Sequence, residues 1–259
     1  MSARVLYKCV INGDAEEVEQ FLTDNPAFDV NESLDVGWTA LHFACYSGHH
    51  EVVSVLLVHP LINVNKKDDH GRTTLYLACY FGSLEIAKVL LDDPRSDINL
   101  PDHRGCTPLW WASYGGLVGV INWMIASGRE LDLDREGKYG GLEYTAIEIA
   151  IGESNTAVVS LLERFIGDQE KTSYEVRVEL GVHDALAVDL FAITVFICDD
   201  FLRIKQPQWI SKAGRFFRIA SRLPMELQMM LCHRAHGSAK DNIPSKDSEP
   251  AFKSLAKLY

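Results

Sequence analysis

The chain has 259 residues, 47% of them hydrophobic, enough to bury the core of one large or two small domains and to exclude disorder of the whole. The formal charge of −11 is uneven: residues 1–171 carry 13 basic and 26 acidic side chains, a net of −13, which excludes a body that wraps nucleic acid. The six cysteines show no C-x-x-C spacing, no apolar leader precedes them, and the longest apolar stretch, 190–198, falls far short of the roughly 20 residues that span a bilayer. Reduced thiols, no membrane segment and an intracellular site, the cytoplasm or else the nucleus, are the expectation.

In chain order, residues 4–31 hold Leu6, Cys9, Gly13 and Phe21-Leu22, each 35 positions before Leu41, Ala44, Gly48 and Leu56-Leu57. Thr39 opens the first clear unit; Thr73 and Thr107 follow at steps of 34, and Thr145 at 38. The four segments read T-A-L-H-F-A at 39–44, T-T-L-Y-L-A at 73–78, T-P-L-W-W-A at 107–112 and T-A-I-E-I-A at 145–150. Gly48, Gly82 and Gly116 stand nine residues past each of the first three Thr, and Asn31, Asn65 and Asn99 keep the 34-residue step.

Each position has a physical task. Thr caps the free N–H groups of a short helix, Leu and Ala pack it on its neighbours, and Gly ends it where φ turns positive. A second helix follows with apolar residues at helical spacing, as in Val52, Val55 and Leu56. The hexapeptide resembles the T-P-L-H-x-A of ankyrin repeats. That resemblance implies an all-α solenoid of about five helix-turn-helix units over residues 2–166, joined by short β-hairpin fingers, whose function is to bind another protein. The fifth unit departs from the pattern, with Ser154 for the turn Gly and Glu148 for the His, as a terminal repeat does. The finger before it is longer and carries Gly137-Lys138-Tyr139-Gly140-Gly141.

From Thr172 the period is lost. Helical patterns at 182–204, 212–222, 224–236 and 249–258 predict a C-terminal module over 172–259 that caps the solenoid, with a polar linker at 238–249. Residues 203–240 hold eight Lys or Arg against the single acid Glu226. Leu223-Pro224-Met225-Glu226-Leu227 resembles the opening of an F-box, so a substrate-reading adaptor of a ubiquitin ligase is the alternative function.

The ankyrin resemblance points to the fingers and the concave side of the first helices as the partner-binding surface: Trp38, Asp69, His70, Arg72, His103 and Arg104 on the fingers, and Tyr46, Tyr80 with Phe81, and Tyr114 on the helices. The three tyrosines share one repeat phase and predict a ladder about 10 Å per step. Trp111 is expected in the core, with Trp110 partly exposed and available to a partner. The resemblance gives His42 an inter-repeat hydrogen bond. It also makes Asn31, Asn65 and Asn99 similar to finger asparagines that hydroxylases modify. Cys45 and Cys79 recur at one phase and mark a small buried apolar slot. Cys232 and His236 lack the further ligands of a zinc site. No nucleophile–base pair, cofactor site or metal site is expected, and the protein is expected to act as a monomer.

Overall fold

The computed structural model describes residues 3–182. The expected helices beyond residue 182, the polar linker, the cap and the F-box-like motif at 223–227 lie outside the described residues. The chain divides into two compact units, Met1–Glu170 and Lys171–Tyr259.

The first unit is a stack of five helix pairs: α1 (Ala3–Asn12) with α2 (Ala15–Asp24), α3 (Ala40–Tyr46) with α4 (His50–Val58), α5 (Thr74–Phe81) with α6 (Leu84–Asp92), α7 (Pro108–Tyr114) with α8 (Val118–Ala126), and α9 (Ala146–Gly152) with α10 (Thr156–Gly167). First helices pack on first helices along the row α1, α3, α5, α7, α9, and second helices form a parallel row. One further helix, α11 (Gln169–Glu179), follows; its polar sequence carries no apolar period, and the sequence did not announce it.

The Thr positions do what their chemistry suggests. The hydroxyls of Thr39, Thr73, Thr107 and Thr145 accept from the backbone N–H three residues on, at 3.1–3.4 Å. Each such cap stabilises its short helix by about 1 kcal/mol. In the fifth unit the turn residue Ser154 adopts φ 60, the left-handed conformation that glycine takes in the other four.

The fingers before α3, α5 and α7 are short turns in which Leu34, Asp68 and Asp102 each donate an N–H to the carbonyl of Trp38, Arg72 and Cys106 and accept one from Gly37, Gly71 and Gly105. Only the longer fourth finger forms a sheet, β1 (Gly137–Tyr139) antiparallel to β2 (Leu142–Tyr144), because Gly140-Gly141, both at positive φ, supply the tight turn. Neighbouring fingers also bond tip to tip: Asp69 N–H to Val36, His103 N–H to His70 and Lys138 N–H to Arg104 carbonyls. A Cβ on Gly71, itself at φ 79, would come 2.5 Å from His103, so the close approach requires glycine there.

Successive repeats are tied by a bond from one slot of each first helix. Tyr7 donates to the carbonyls of Glu32 and Trp38 (2.6 and 3.3 Å), and His42 Nε2 meets the Arg72 carbonyl at 3.2 Å. Tyr76 donates to Asp102 at 3.0 Å, and Trp110 Nε1 donates to the Tyr144 carbonyl at 2.8 Å. Trp110 is therefore 0% exposed, which corrects the expectation that it would reach a partner. It fills the position that His42 fills two repeats earlier, and its indole N–H does the same task for the next finger. Trp111 is buried as expected, at 5% exposure.

The asparagines add a second set of ties. Asn31, Asn65 and Asn99 each donate to a carbonyl of the next repeat (Leu61, Arg95, Glu130) and accept an N–H there (Asn63, Asp97, Asp132), at 2.7–3.0 Å. Arg95 and Arg129, again 34 apart, cap the ends of the preceding second helices at Leu57 and at Leu91 and Asp93.

Two predictions follow from these slots. The Thr39 N–H donates to His42 Nδ1, so the ring is neutral with its proton on Nε2, and burial lowers its pKa below the ordinary 6.5. The unfolded chain then binds the proton more readily, and the stability held above about pH 6.5 is lost as pH falls below it. Melting temperatures measured from pH 7.5 to 5.5 should drop more steeply in the wild type than in His42→Gln. Ser113 occupies the slot of Cys45 and Cys79, fully buried, with a hydroxyl that has no hydrogen-bond partner. Its replacement by Cys, which the same slot accepts twice, should stabilise by about 1 kcal/mol or more, read as a higher urea midpoint.

Candidate functional site

The exposed side of the first helices carries a continuous run of aromatic rings. Trp38 touches Tyr46 (centroids 5.2 Å apart), Tyr46 touches Phe81 (5.2 Å), Phe81 touches Tyr80 (4.9 Å), and Tyr80 touches Trp111 (4.7 Å). Trp111 meets Tyr114 at 5.4 Å, and Tyr114 meets Tyr139 at 5.2 Å. The three tyrosines of equal phase thus do not touch one another; Phe81 and Trp111 bridge them. Tyr46, Tyr80 and Phe81 remain 55%, 50% and 45% exposed, while Tyr114 is half-buried.

Buried rings one helical turn earlier hold this strip from beneath. Tyr76 stacks on Tyr80 at an interplanar angle of 6°, and Trp110 stacks on Tyr114 at 8°. Residues i and i+4 share a helix face, so these two inter-repeat donors, Tyr76 and Trp110, also fix the planes of Tyr80 and Tyr114. Tyr139 belongs to β1 and has no counterpart at the same phase in the other repeats. Its hydroxyl is 2.9 Å from that of Tyr114, and this bond, with the mutual repulsion of the two phenols, pushes Tyr114 up to about 12.

The fingers stand along the strip and supply charge. Asp68, whose side chain is fully buried, receives the N–H groups of His70 and Arg72 on Oδ1, and Arg72 and the Trp38 indole on Oδ2. Burial alone would raise its pKa; the bonds from Arg72 and His70 win and hold it below the ordinary carboxylate range. Arg72, locked in this way, lies over the Trp38 ring at 5.8 Å. Asp102 repeats the arrangement with Tyr76 and Arg104, and Arg104 lies over Trp111 at 5.9 Å. Asp69, His70 and His103 are exposed at the finger tips and take part in no ring contact.

The structure therefore gathers Trp38, Tyr46, Tyr80, Phe81 and Tyr114 into one surface with Arg72 and Arg104 at its edge, leaves Asp69, His70 and His103 beside it, and removes Trp110. Sequence reasoning missed Tyr139 and the bridging part of Trp111, and it did not single out Asp68 and Asp102, whose shared 34-residue step was the available signal.

Among the described residues no group of three or more His, Cys, Asp or Glu could hold a metal ion, and no helix is long and apolar enough to cross a membrane. The thiols of Cys45 and Cys79 are pushed up by burial, and that of Cys106 to about 12, which keeps them protonated and unreactive.

Residues 6–102 match the family of ankyrin repeats, in three copies. The described units continue the same architecture past that match to residue 167. Over 54 residues the chain is 43% identical to oxysterol-binding protein-related protein 1 of Mus musculus, a match that covers 18% of this chain and 6% of that protein. The chain thus spans a small part of that relative. Ankyrin repeats are typically non-enzymatic modules that bind other proteins.

Asp68→Asn should weaken the finger by about 2–3 kcal/mol at pH 7, because Arg72 and the Trp38 indole lose a charged acceptor. A carboxylate with a depressed folded pKa stabilises above its unfolded value of about 3.9 and loses that contribution as pH falls through the folded one. Urea titrations should therefore show the gap between wild type and variant closing under acid conditions.

Proposed function

We propose that this ankyrin-repeat array binds another protein across the face made by the aromatic strip and the edge of the fingers, and serves as an interaction module or scaffold rather than as an enzyme. One observation carries the proposal: rings about half exposed, Tyr46, Tyr80 and Phe81, sit in an unbroken run from Trp38 to Tyr139. Exposed aromatic area on this scale marks interaction sites, and tyrosine offers contact surface at little cost in side-chain entropy. The stacked rings beneath hold it in place before any partner arrives, which reduces the ordering cost of binding. The four cysteines among the described residues, all free and buried, suit a reducing compartment, and we place the protein in the cytoplasm, as a monomer.

The test pairs affinity with stability. A partner recovered with the wild-type protein and identified by mass spectrometry is purified and titrated against Tyr80→Ala and Phe81→Ala. Each change should weaken binding by about 2 kcal/mol, the scale of an interface hot spot, with a melting temperature close to that of the wild type. Unchanged affinity in both variants would remove the strip from the interface.

A further inference from the structure

The charges around the strip fall into two sets. Three finger cations are neutralised within their own fingers: Arg72 by Asp68 at 2.7 Å, Arg104 by Asp102 at 3.6 Å, and Lys138 by Glu143 at 3.1 Å. Three exposed acids near the same rings have no ion pair among the described residues: Asp69 on the finger following Trp38, Glu136 beside the tip of the Arg104 finger, and Glu153, whose charge is felt at the Tyr114 hydroxyl. Behind them stands a body with a net charge of −13 over residues 1–171. An approaching chain therefore meets a net negative field, although Lys66 and Lys67 of the finger before α5 bond only the carbonyls of Asn31 and Pro101 and keep their charge uncompensated among the described residues.

The rings carry the same preference. An aromatic face is the negative side of a quadrupole and attracts guanidinium and ammonium groups. The protein already uses this on the two tryptophans of the strip, with Arg72 over Trp38 and Arg104 over Trp111. Among the described residues no cation lies over the tyrosines and the phenylalanine between them, the most exposed rings of the run.

Building on the function proposed above, we infer that the partner enters as an extended segment rich in arginine and lysine, whose cations lie over the open rings of Tyr46, Phe81 and Tyr80 and face the acids Asp69, Glu136 and Glu153. The run extends from the second repeat to the fifth, three steps of about 10 Å each. An extended chain rises about 3.3 Å per residue, so about nine residues of partner cover it. An acidic segment would meet the −13 body, and a neutral proline-rich one would leave the three acids unmatched.

The test selects ligands without presuming a sequence. A displayed library of random peptides of about 12 residues, long enough for that span, is panned on the full chain, and the recovered peptides are synthesised and titrated by fluorescence anisotropy. The comparison protein is Tyr46→Leu with Tyr80→Leu, which keeps apolar bulk and removes the ring faces; its melting curve is recorded beside the wild type, and Phe81→Leu alone serves if the double variant unfolds. The recovered pool should be enriched in Arg and Lys over the input, bind more weakly as salt rises, and lose about tenfold in affinity for the Leu variant. A pool without basic enrichment that still needs Tyr46 and Tyr80 would overturn the basic partner and leave the strip as the binding face. Basic peptides that bind wild type and Leu variant equally would overturn the use of the rings and reveal attraction to the acidic body alone. Failure to enrich any peptide overturns both the basic partner and the strip as its site.

Discussion

The array stands on one recurrent hydrogen bond, in which a side chain from the first helix of a repeat reaches across to the finger that opens the next. A short helix pair cannot bury its own apolar face, and stacking the repeats buries the polar tip of one first-helix side chain against the next finger. Leaving such a donor unpaired costs about 1–3 kcal/mol, so it needs an acceptor there. Tyr7, His42 and Trp110 meet that demand with three different chemistries, a phenol, an imidazole and an indole, each aimed at the residue just before the next capping threonine. The asparagines of the fingers and the pair Arg95 and Arg129 repeat the principle at two other heights of the stack.

The recognition surface grows out of this tie. Tyr76 and Trp110 are fixed at their polar tips by the next repeat, and one turn later Tyr80 and Tyr114 lie flat against them. The groups that join the repeats therefore also set the planes of the exposed rings. Binding face and folding core are two layers of one aromatic stack, with Trp111 in contact with both.

The capping threonines, the turn glycines and the equal phase of Tyr46, Tyr80 and Tyr114 were legible in the sequence because each follows from one local rule repeated every 34 residues. Trp110 was misjudged because its position in the repeat is usually a histidine's and the sequence does not show that an indole N–H can reach the next finger from there, as it does to the Tyr144 carbonyl. Tyr139 escaped because it sits in the one finger of unequal length, where counting by period fails. A two-stranded sheet formed only there, since the shorter fingers turn back within two backbone bonds and gain their remaining partners from neighbours.

Three of the four junction acceptors are main-chain carbonyls, and main chain is common to every amino acid. A unit that runs from one capping threonine to the residue before the next carries donor and acceptor together, as 39–72 does with His42 and Arg72, so a whole unit can be added or removed with its own bond of this kind intact. The unit 73–106 differs only in its acceptor: Tyr76 bonds the carboxylate of Asp102, a side chain that lies in the same unit.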